Sequence, residues 1–500
     1  MRPTQIIRGC LTALLVLSVQ SCDLFSDMDI DNFNSPDINQ VYENVQDYPA
    51  LLSGAYNSWW NHCIGVSPVF ALIPAAEIMT TGYGSWGSSP YYKIPRELVP
   101  NTDADPVLLP PAACWYGFYQ AIPTVNIMIS KLTVEGKRVI IGEKDYTNEC
   151  LAHAYILQGL LYGHLAMIYD KAFLIKEDID TDNFTYGFSD YKLLMAFALS
   201  KIDKGIELCQ ENFTDPIEML PEVKFNNVTL AEFANSMAAR MMIFNARNEQ
   251  ETIMIDWERV LSYAQKGMKD DFKVNVKDGW SGMVINSDPW SYLTINDWGW
   301  IRVHQRIINM MAPDDQNAIY PWPYGRSVMG PVNSPDSRFD NYFTYEEKIS
   351  WAKYAPSTGY QIMSHYRFTR FNALFNYGVG YINFYSAEES RLIIAEAILR
   401  TGGSKSEVAE LINQSRVNKG MLEPALETET RLELTEKIIY ERLVETMMTY
   451  PLAPFFDRRR TDIRTMGLYP GTVRHLPVPY KELLLHGLEP YSFGGINNEM

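Results

Sequence analysis

Apolar residues recur at three- and four-residue spacing over most of the chain. Leu151, Ala154, Tyr155, Leu161, Tyr162, Leu165, Ile168 and Tyr169 share one helical face, with Gln158 its single polar break. Residues 188–212 continue the period through Leu193, Leu194, Phe197, Ala198, Ile202, Ile206 and Leu208. A further helix is predicted over Ala231, Ala234, Met237, Ala238 and Met241, with Thr229 as its N-cap, and a partner over Trp257, Val260, Leu261, Ala264 and Met268. The C-terminal third gives helices at 386–401 and 404–419, split by Gly402-Gly403, and a long one at 430–449.

Paired amphipathic helices joined by short turns predict an all-α fold of helical hairpins of the tetratricopeptide kind. The strict 34-residue signature is absent, so the array is irregular. Two stretches break the period: 80–101, and about 273–383, which is rich in Trp, Pro, Asn, Asp and Gly. Long irregular stretches of this kind are often functional.

The N-terminus has its own pattern. Arg2 and Arg8 precede a nine-residue apolar core, Leu11 to Val19, too short to cross a bilayer. The core runs into Val19-Gln20-Ser21-Cys22, a small residue before a cysteine, as at a lipoprotein cleavage site. The expectation is a signal peptide over 1–21, lipidation of Cys22, an acidic tether over 22–37, and a single body over 38–500 containing the loop-rich insert 273–383. No other apolar run approaches membrane-spanning length. Loss of Arg2 and Arg8 takes the formal charge of −17 to about −19. Such a surface argues against nucleic acid as a partner.

Most catalytic chemistry is absent. Gly82-x-Gly84-x-x-Gly87 matches the dinucleotide fingerprint in letters only, since a helical pattern precedes it and Ser88-Ser89-Pro90 follows. There is no G-x-S-x-G, no P-loop, and no H-E-x-x-H among the seven histidines. Asp27-x-Asp29-x-Asp31 echoes a calcium loop, but Asn32 and Ile38 stand where its Gly and Glu belong. No metal or cofactor is expected. Cys63, Cys114, Cys150 and Cys209 match no zinc spacing; disulfides and free buried thiols are both open. Glu389 with Glu396, and Glu441 with Glu445, share helix faces as a glycosidase pair would. They sit among Leu, Ile and Ala, which favours buried carboxylates paired to Arg391, Arg400, Arg442 or the Arg458-Arg459-Arg460 run.

Aromatic residues are the candidate chemistry. Five of the 11 Trp (280, 290, 298, 300 and 322) fall in residues 280–324, where about one is expected by chance, and they alternate with Pro and Tyr rather than at helical spacing. Flat rings on stiffened loops stack on the C–H face of a sugar. The candidates are Trp86, Trp290, Trp298, Trp300 and Trp322, with Tyr83, Tyr92 and Tyr324 beside them.

These pieces, in order, resemble the SusD/RagB-like nutrient-binding outer-membrane lipoproteins. The likeness runs through Cys22-Asp23-Leu24-Phe25, Ala50 to Tyr56, and Trp115-x-x-x-Tyr119-x-x-Ile122-x-x-x-Asn126. It continues through Ala231 to Asn248, Trp257 to Met268, Tyr385 to Glu389, Ala395-Glu396-Ala397, Ile412 to Arg416 with Gly420, and Ile438 to Glu445. Phe456 to Arg460 and Leu476 to Pro479 complete it. Thr449-Tyr450-Pro451-Leu452 replaces the family's E-G-x-R. The resemblance implies four tetratricopeptide-like units with an irregular ligand-binding half, and no catalysis. It implies a place on the outer face of the outer membrane, a SusC-like TonB-dependent transporter as partner, and a glycan as ligand. A peptide-binding lid of an oligopeptide importer and a surface glycosidase are the alternatives.

Overall fold

The computed structural model describes residues 42–63, 66–81, 89–102, 110–178, 187–213, 215–276, 301–315, 330–347, 363–372, 375–376, 379–463 and 465–496. Gln46–Met500 forms one compact unit. Its helices are α1 Tyr48–Cys63, α2 Val66–Ala75, α3 Pro110–Thr133, α4 Thr147–Ile168, α5 Tyr191–Leu208, α6 Asn227–Asn245 and α7 Trp257–Lys266. They continue with α8 Gln305–Met311, α9 Ala387–Thr401, α10 Lys405–Arg416, α11 Arg431–Thr446 and α12 Ala453–Arg459. Four successive pairs, α4 with α5, α6 with α7, α9 with α10 and α11 with α12, pack on one another. The fold is mainly helical, as the periodicity predicts.

α4 is the centre of this body and packs against α1, α3, α5 and α6. It is buried on all sides, not on one face, because helices surround it. It is also long and apolar enough to cross a bilayer, contrary to the expectation that no further run approaches that length; 94% of its apolar window is buried inside the protein, so it serves as the core helix. The close approach of α4 to α5 rests on two glycines. A Cβ on Gly159 would meet Ile202 Cγ1 at 2.5 Å, and one on Gly205 would meet Ile156 Cγ1 at 2.4 Å. Each glycine therefore admits an isoleucine of the other helix.

The polar break Gln158 has a structural cause. Its Nε2 donates to Asn126 Oδ1 (2.7 Å) and to Glu177 (3.1 Å), and Asn126 donates to Ile175 O (2.8 Å). From the same face of α3, Tyr119 donates to Phe173 O (2.6 Å) and Trp115 packs edge-on against Tyr169. The Trp-Tyr-Asn spacing on α3 thus binds the chain as it leaves α4. The start of α6 is one turn earlier than its apolar pattern indicates. Asn226 is the cap, accepting from Thr229 N–H, so Thr229 lies inside the helix.

The four core carboxylates are fully paired. Glu389 takes a two-pronged contact from Arg240 of α6 (2.7 and 2.6 Å), a partner outside the expected set. Glu396 accepts from Arg442 (2.8 Å) and Arg460 (2.8 and 2.7 Å), with Arg400 at 3.7 Å. Glu441 and Glu445 share Arg338 at 2.7 and 2.9 Å. Arg391 instead pairs with Glu388. Among the described residues Cys63, Cys114, Cys150 and Cys209 are buried thiols outside any disulfide.

Short strands occupy part of the stretch read as irregular. They include β1 Met79–Thr81, β2 Phe272–Val276, β3 Ile301–Val303, β4 Phe343–Tyr345, β5 Tyr366–Phe368 and β6 Val379–Tyr385. β1 pairs with β3, β4 with β5 and β2 with β6, all antiparallel.

Two measurements test this packing. Removing one partner from a buried ion network leaves an uncompensated charge. Glu396→Ala is therefore expected to cost roughly 3–5 kcal/mol in urea unfolding; a loss well under 1 kcal/mol would contradict the network. Glu149 is pushed up to about 7 by burial, with the Ile217 N–H opposing and Asp215 assisting. The folded chain then holds a proton that the unfolded chain releases, so this carboxyl lowers stability as pH rises from about 4.5 to about 7. Relative to the parent, Glu149→Gln is expected to gain roughly 1–2 kcal/mol between pH 4.5 and 7.5. Parallel pH profiles would contradict it.

Candidate functional site

The aromatic candidates fall in three segments. Tyr83 and Trp86 lie in 82–88, Trp290, Trp298 and Trp300 in 277–300, and Trp322 and Tyr324 in 316–329; all are outside the described residues, as are Cys22 and Gly82, Gly84 and Gly87. Tyr92 is described. It closes the short helix Ser89–Tyr92 and is 0% exposed, so its ring belongs to the core and offers no face for stacking.

The described residues bring the ends of these segments together. In the β1–β3 ladder Met79 faces Val303, Thr80 faces Arg302 and Thr81 faces Ile301. Thr81 is the last residue before 82–88, and Ile301 is the first after 277–300. Cross-strand partners have Cα atoms about 4.5–5.5 Å apart, so two aromatic segments share a root. At its other end, 277–300 leaves Val276, which faces Gly380 of β6.

The third segment is pinched at its base. Asn333 N–H donates to Asp315 Oδ2 (2.8 Å), Ser334 donates to Met311 O, and Val332 N–H donates to Tyr366 OH (2.7 Å). α8 separates this pinch from β3 by about 10 Å. His304 N–H donates to Ile78 O (2.9 Å) and Ser364 N–H to Val303 O (3.1 Å), which widens the ladder into a strip.

Charge lies under and beside the ladder. Arg302 holds Glu346 (2.5 Å), which Arg367 also contacts (2.7 Å). His304 caps α8 by accepting from Arg306 N–H at Nδ1, which puts its own proton on Nε2. Burial pushes this histidine down to about 3, so it is neutral. The neighbouring Glu77 receives both Arg96 and Arg306. Sequence reasoning missed Glu77, although a lone acid in the apolar run FALIPAAEIM signals a buried carboxylate in need of a cation.

The carboxylates weighed for hydrolysis are already occupied. Glu389, Glu396, Glu441 and Glu445 are each 0% exposed and occupied by arginine, with no open cleft between them. Among the described residues no group of three or more His, Cys, Asp or Glu is placed to hold a metal. A pocket of about 570 Å³ opens between α5, α6 and the short helix Glu249–Ile253, lined by Tyr191, Asn245, Glu251 and Met254 among others. Its carboxylate, Glu251, is already engaged by Tyr191 OH (2.5 Å), Arg247 N–H (3.0 Å) and Lys192 (3.4 Å).

No family model and no curated protein matches the chain. Solved structures do. A SusD superfamily protein from Bacteroides thetaiotaomicron matches with a TM-score of 0.57 at 15% identity, over 83% of this chain and 88% of its own. A SusD homolog from Parabacteroides distasonis gives a TM-score of 0.57 at 14% identity, over 90% and 93%. The chain has the SusD-like fold. Surface glycan-binding protein A from Bacteroides uniformis shares this fold, with a TM-score of 0.55 at 12% identity, over 90% of this chain and 99% of its own. In this SusD-like body the helix pairs form one compact scaffold, and the described residues next to 82–88 and 277–300 include short strands set into it.

Proposed function

We propose that this SusD-like chain is a surface lipoprotein that captures a nutrient glycan and delivers it to a SusC-like TonB-dependent transporter, without catalysing a reaction. The observation that carries the reading is the shared root of the aromatic segments. Thr81 and Ile301 are cross-strand partners, so the chain enters 82–88 and leaves 277–300 at one place on the β1–β3 ladder. The likeness in fold to a surface glycan-binding protein supports the same reading. The stacking residues are Trp86, Trp290, Trp298, Trp300 and Trp322, with Tyr83 and Tyr324; the buried Tyr92 is left out. Stacking reads the ring face of a sugar, and nearby Asn, Asp and Arg side chains read its hydroxyls. Cys22 carries the lipid, and the acidic stretch after it is the tether that keeps the protein near its transporter.

Occupied core carboxylates favour binding over hydrolysis. A glycosidase needs two carboxyls about 5–9.5 Å apart across an open cleft, and the candidates here are closed off by arginines.

Calorimetric titration with a panel of neutral oligosaccharides tests the reading. Trp298→Ala and Trp300→Ala are each expected to weaken the best ligand by roughly 1–2 kcal/mol, about 5–30-fold. Binding should change little between low and high salt, since a neutral ligand has no charge to screen. If none of the seven stacking variants weakens binding, the assignment fails, and steep salt dependence would favour a basic peptide instead. Cys22→Ala is expected to shift the protein from the membrane to the soluble fraction; membrane retention would contradict the anchor.

A further inference from the structure

We infer that Glu77 is the positioning residue of the β1–β3 strip: one buried carboxylate that ties together the chain on both sides of segment 82–88 and the strand that follows segment 277–300. This rests on the reading that those segments hold the ligand, and it adds what holds the described residues at their ends.

Glu77 turns the chain from α2 into β1. It is 1% exposed, and its φ of +58° lies in the left-handed region. That conformation costs a non-glycine residue about 1–2 kcal/mol, so something else must hold this side chain here. The two carboxylate oxygens serve different parts of the site. Oε1 accepts from Arg96 Nη2 at 3.2 Å, and Oε2 accepts from Arg306 Nη1 at 2.5 Å.

Each arm reaches a different segment. Arg96 stands where the chain has left 82–88 and the helix after it, and it also donates to Lys93 O (3.0 Å) and Thr472 Oγ1 (2.9 Å). Arg306 stands in the first turn of α8, three residues beyond β3, and donates to Thr465 O (2.9 Å) and Gly467 O (2.8 Å). β1 itself begins two residues after Glu77. One carboxylate therefore fixes the entry to 82–88, the chain after it, and the exit from 277–300.

The charge balance makes this carboxylate hard to replace. Arg458 donates to Met466 O (3.0 Å), between the two carbonyls that Arg306 takes, and forms no ion pair among the described residues. Glu77 is thus the anion shared by a local cluster of three guanidinium groups. Burial alone pushes its carboxyl up, but Arg306 and Arg96 outweigh burial and hold it below the ordinary range, so it stays ionised. Buried ion pairs often contribute little net stability compared with apolar groups of the same shape, and in some proteins they instead specify geometry. A strained, two-armed carboxylate at the root of two aromatic segments fits that use.

Hydrogen-exchange mass spectrometry on the full chain tests the assignment. The variants are Glu77→Gln, Arg96→Met and Arg306→Met, with Glu389→Gln as a comparator that breaks a buried pair in the helical core. Glu77→Gln is expected to raise exchange of 78–81, 89–96 and 301–308 together by at least tenfold, leaving α4 and α6 within twofold. Arg96→Met should loosen 89–96 alone and Arg306→Met 301–308 alone, which keeps the test intact if Glu77→Gln does not fold. The neutral oligosaccharide that binds the parent best should bind Glu77→Gln at least fivefold more weakly, and the comparator within twofold. An increase spread equally over α4 and α6, or single-arm variants that loosen both segments alike, would overturn the inference. If the local exchange pattern holds and the parent binds no oligosaccharide, the positioning role of Glu77 stands and the glycan reading falls.

Discussion

A guanidinium group cannot be buried without an anion or a set of carbonyls to receive its protons, and ten arginines are buried among the described residues. The solutions divide by place. Where helices cross, arginines meet carboxylates: Arg240 with Glu389, Arg442 and Arg460 with Glu396 and Asp457, and Arg338 with Asp336, Glu441 and Glu445. Where helices end, arginines meet carbonyls. Arg459 donates to Met167 O near the end of α4 and to Phe244 O near the end of α6, while Arg247 donates to Ala166 O and Tyr169 O. A cation at a helix C-terminus also opposes the helix dipole. The two solutions lock consecutive helix pairs in register, from α4 through α12.

That locking separates two kinds of stability in one chain. The ring centroids of Phe384, Tyr385 and Tyr450 lie within 4.9 Å of the Arg240 guanidinium, and Glu389 closes the remaining side. Such a core admits few alternative arrangements. The strip carrying the aromatic segments depends on much less: three residue pairs in the β1–β3 ladder, a few backbone hydrogen bonds, and the carboxylate of Glu77. Recognition surfaces need side chains that can face water, and a stiff body lets short strands present them without ordering the whole protein at each binding event.

Periodicity made the helical pairs legible because each helix buries apolar residues at three- and four-residue spacing, and α9 and α10 begin within a residue or two of where that spacing places them. It misjudged α4 because a helix surrounded by helices has no polar face to mark its orientation. It missed β1 and β3 because three-residue strands are too short to display alternation. Asn226 escaped notice as a cap because Thr229 satisfies the same composition rule three residues later. Pairing of the core glutamates was readable from their apolar neighbours, but Arg240 as the partner of Glu389 was not, since 149 residues separate them. The aromatic residues stood out by composition; their common root did not, because it rests on pairing between residues 220 apart in the chain.

The central claim is that aromatic residues rooted on the β1–β3 strip, and not the faces of the helix pairs, hold a glycan. The most direct measurement is a crystal structure of the chain with a bound oligosaccharide. The account predicts sugar rings stacked on side chains of 82–88 and 277–300, next to the Thr81–Ile301 pair. Density for the sugar on α5 and α6, or in the pocket lined by Tyr191 and Glu251, with no sugar near the strip, would contradict it.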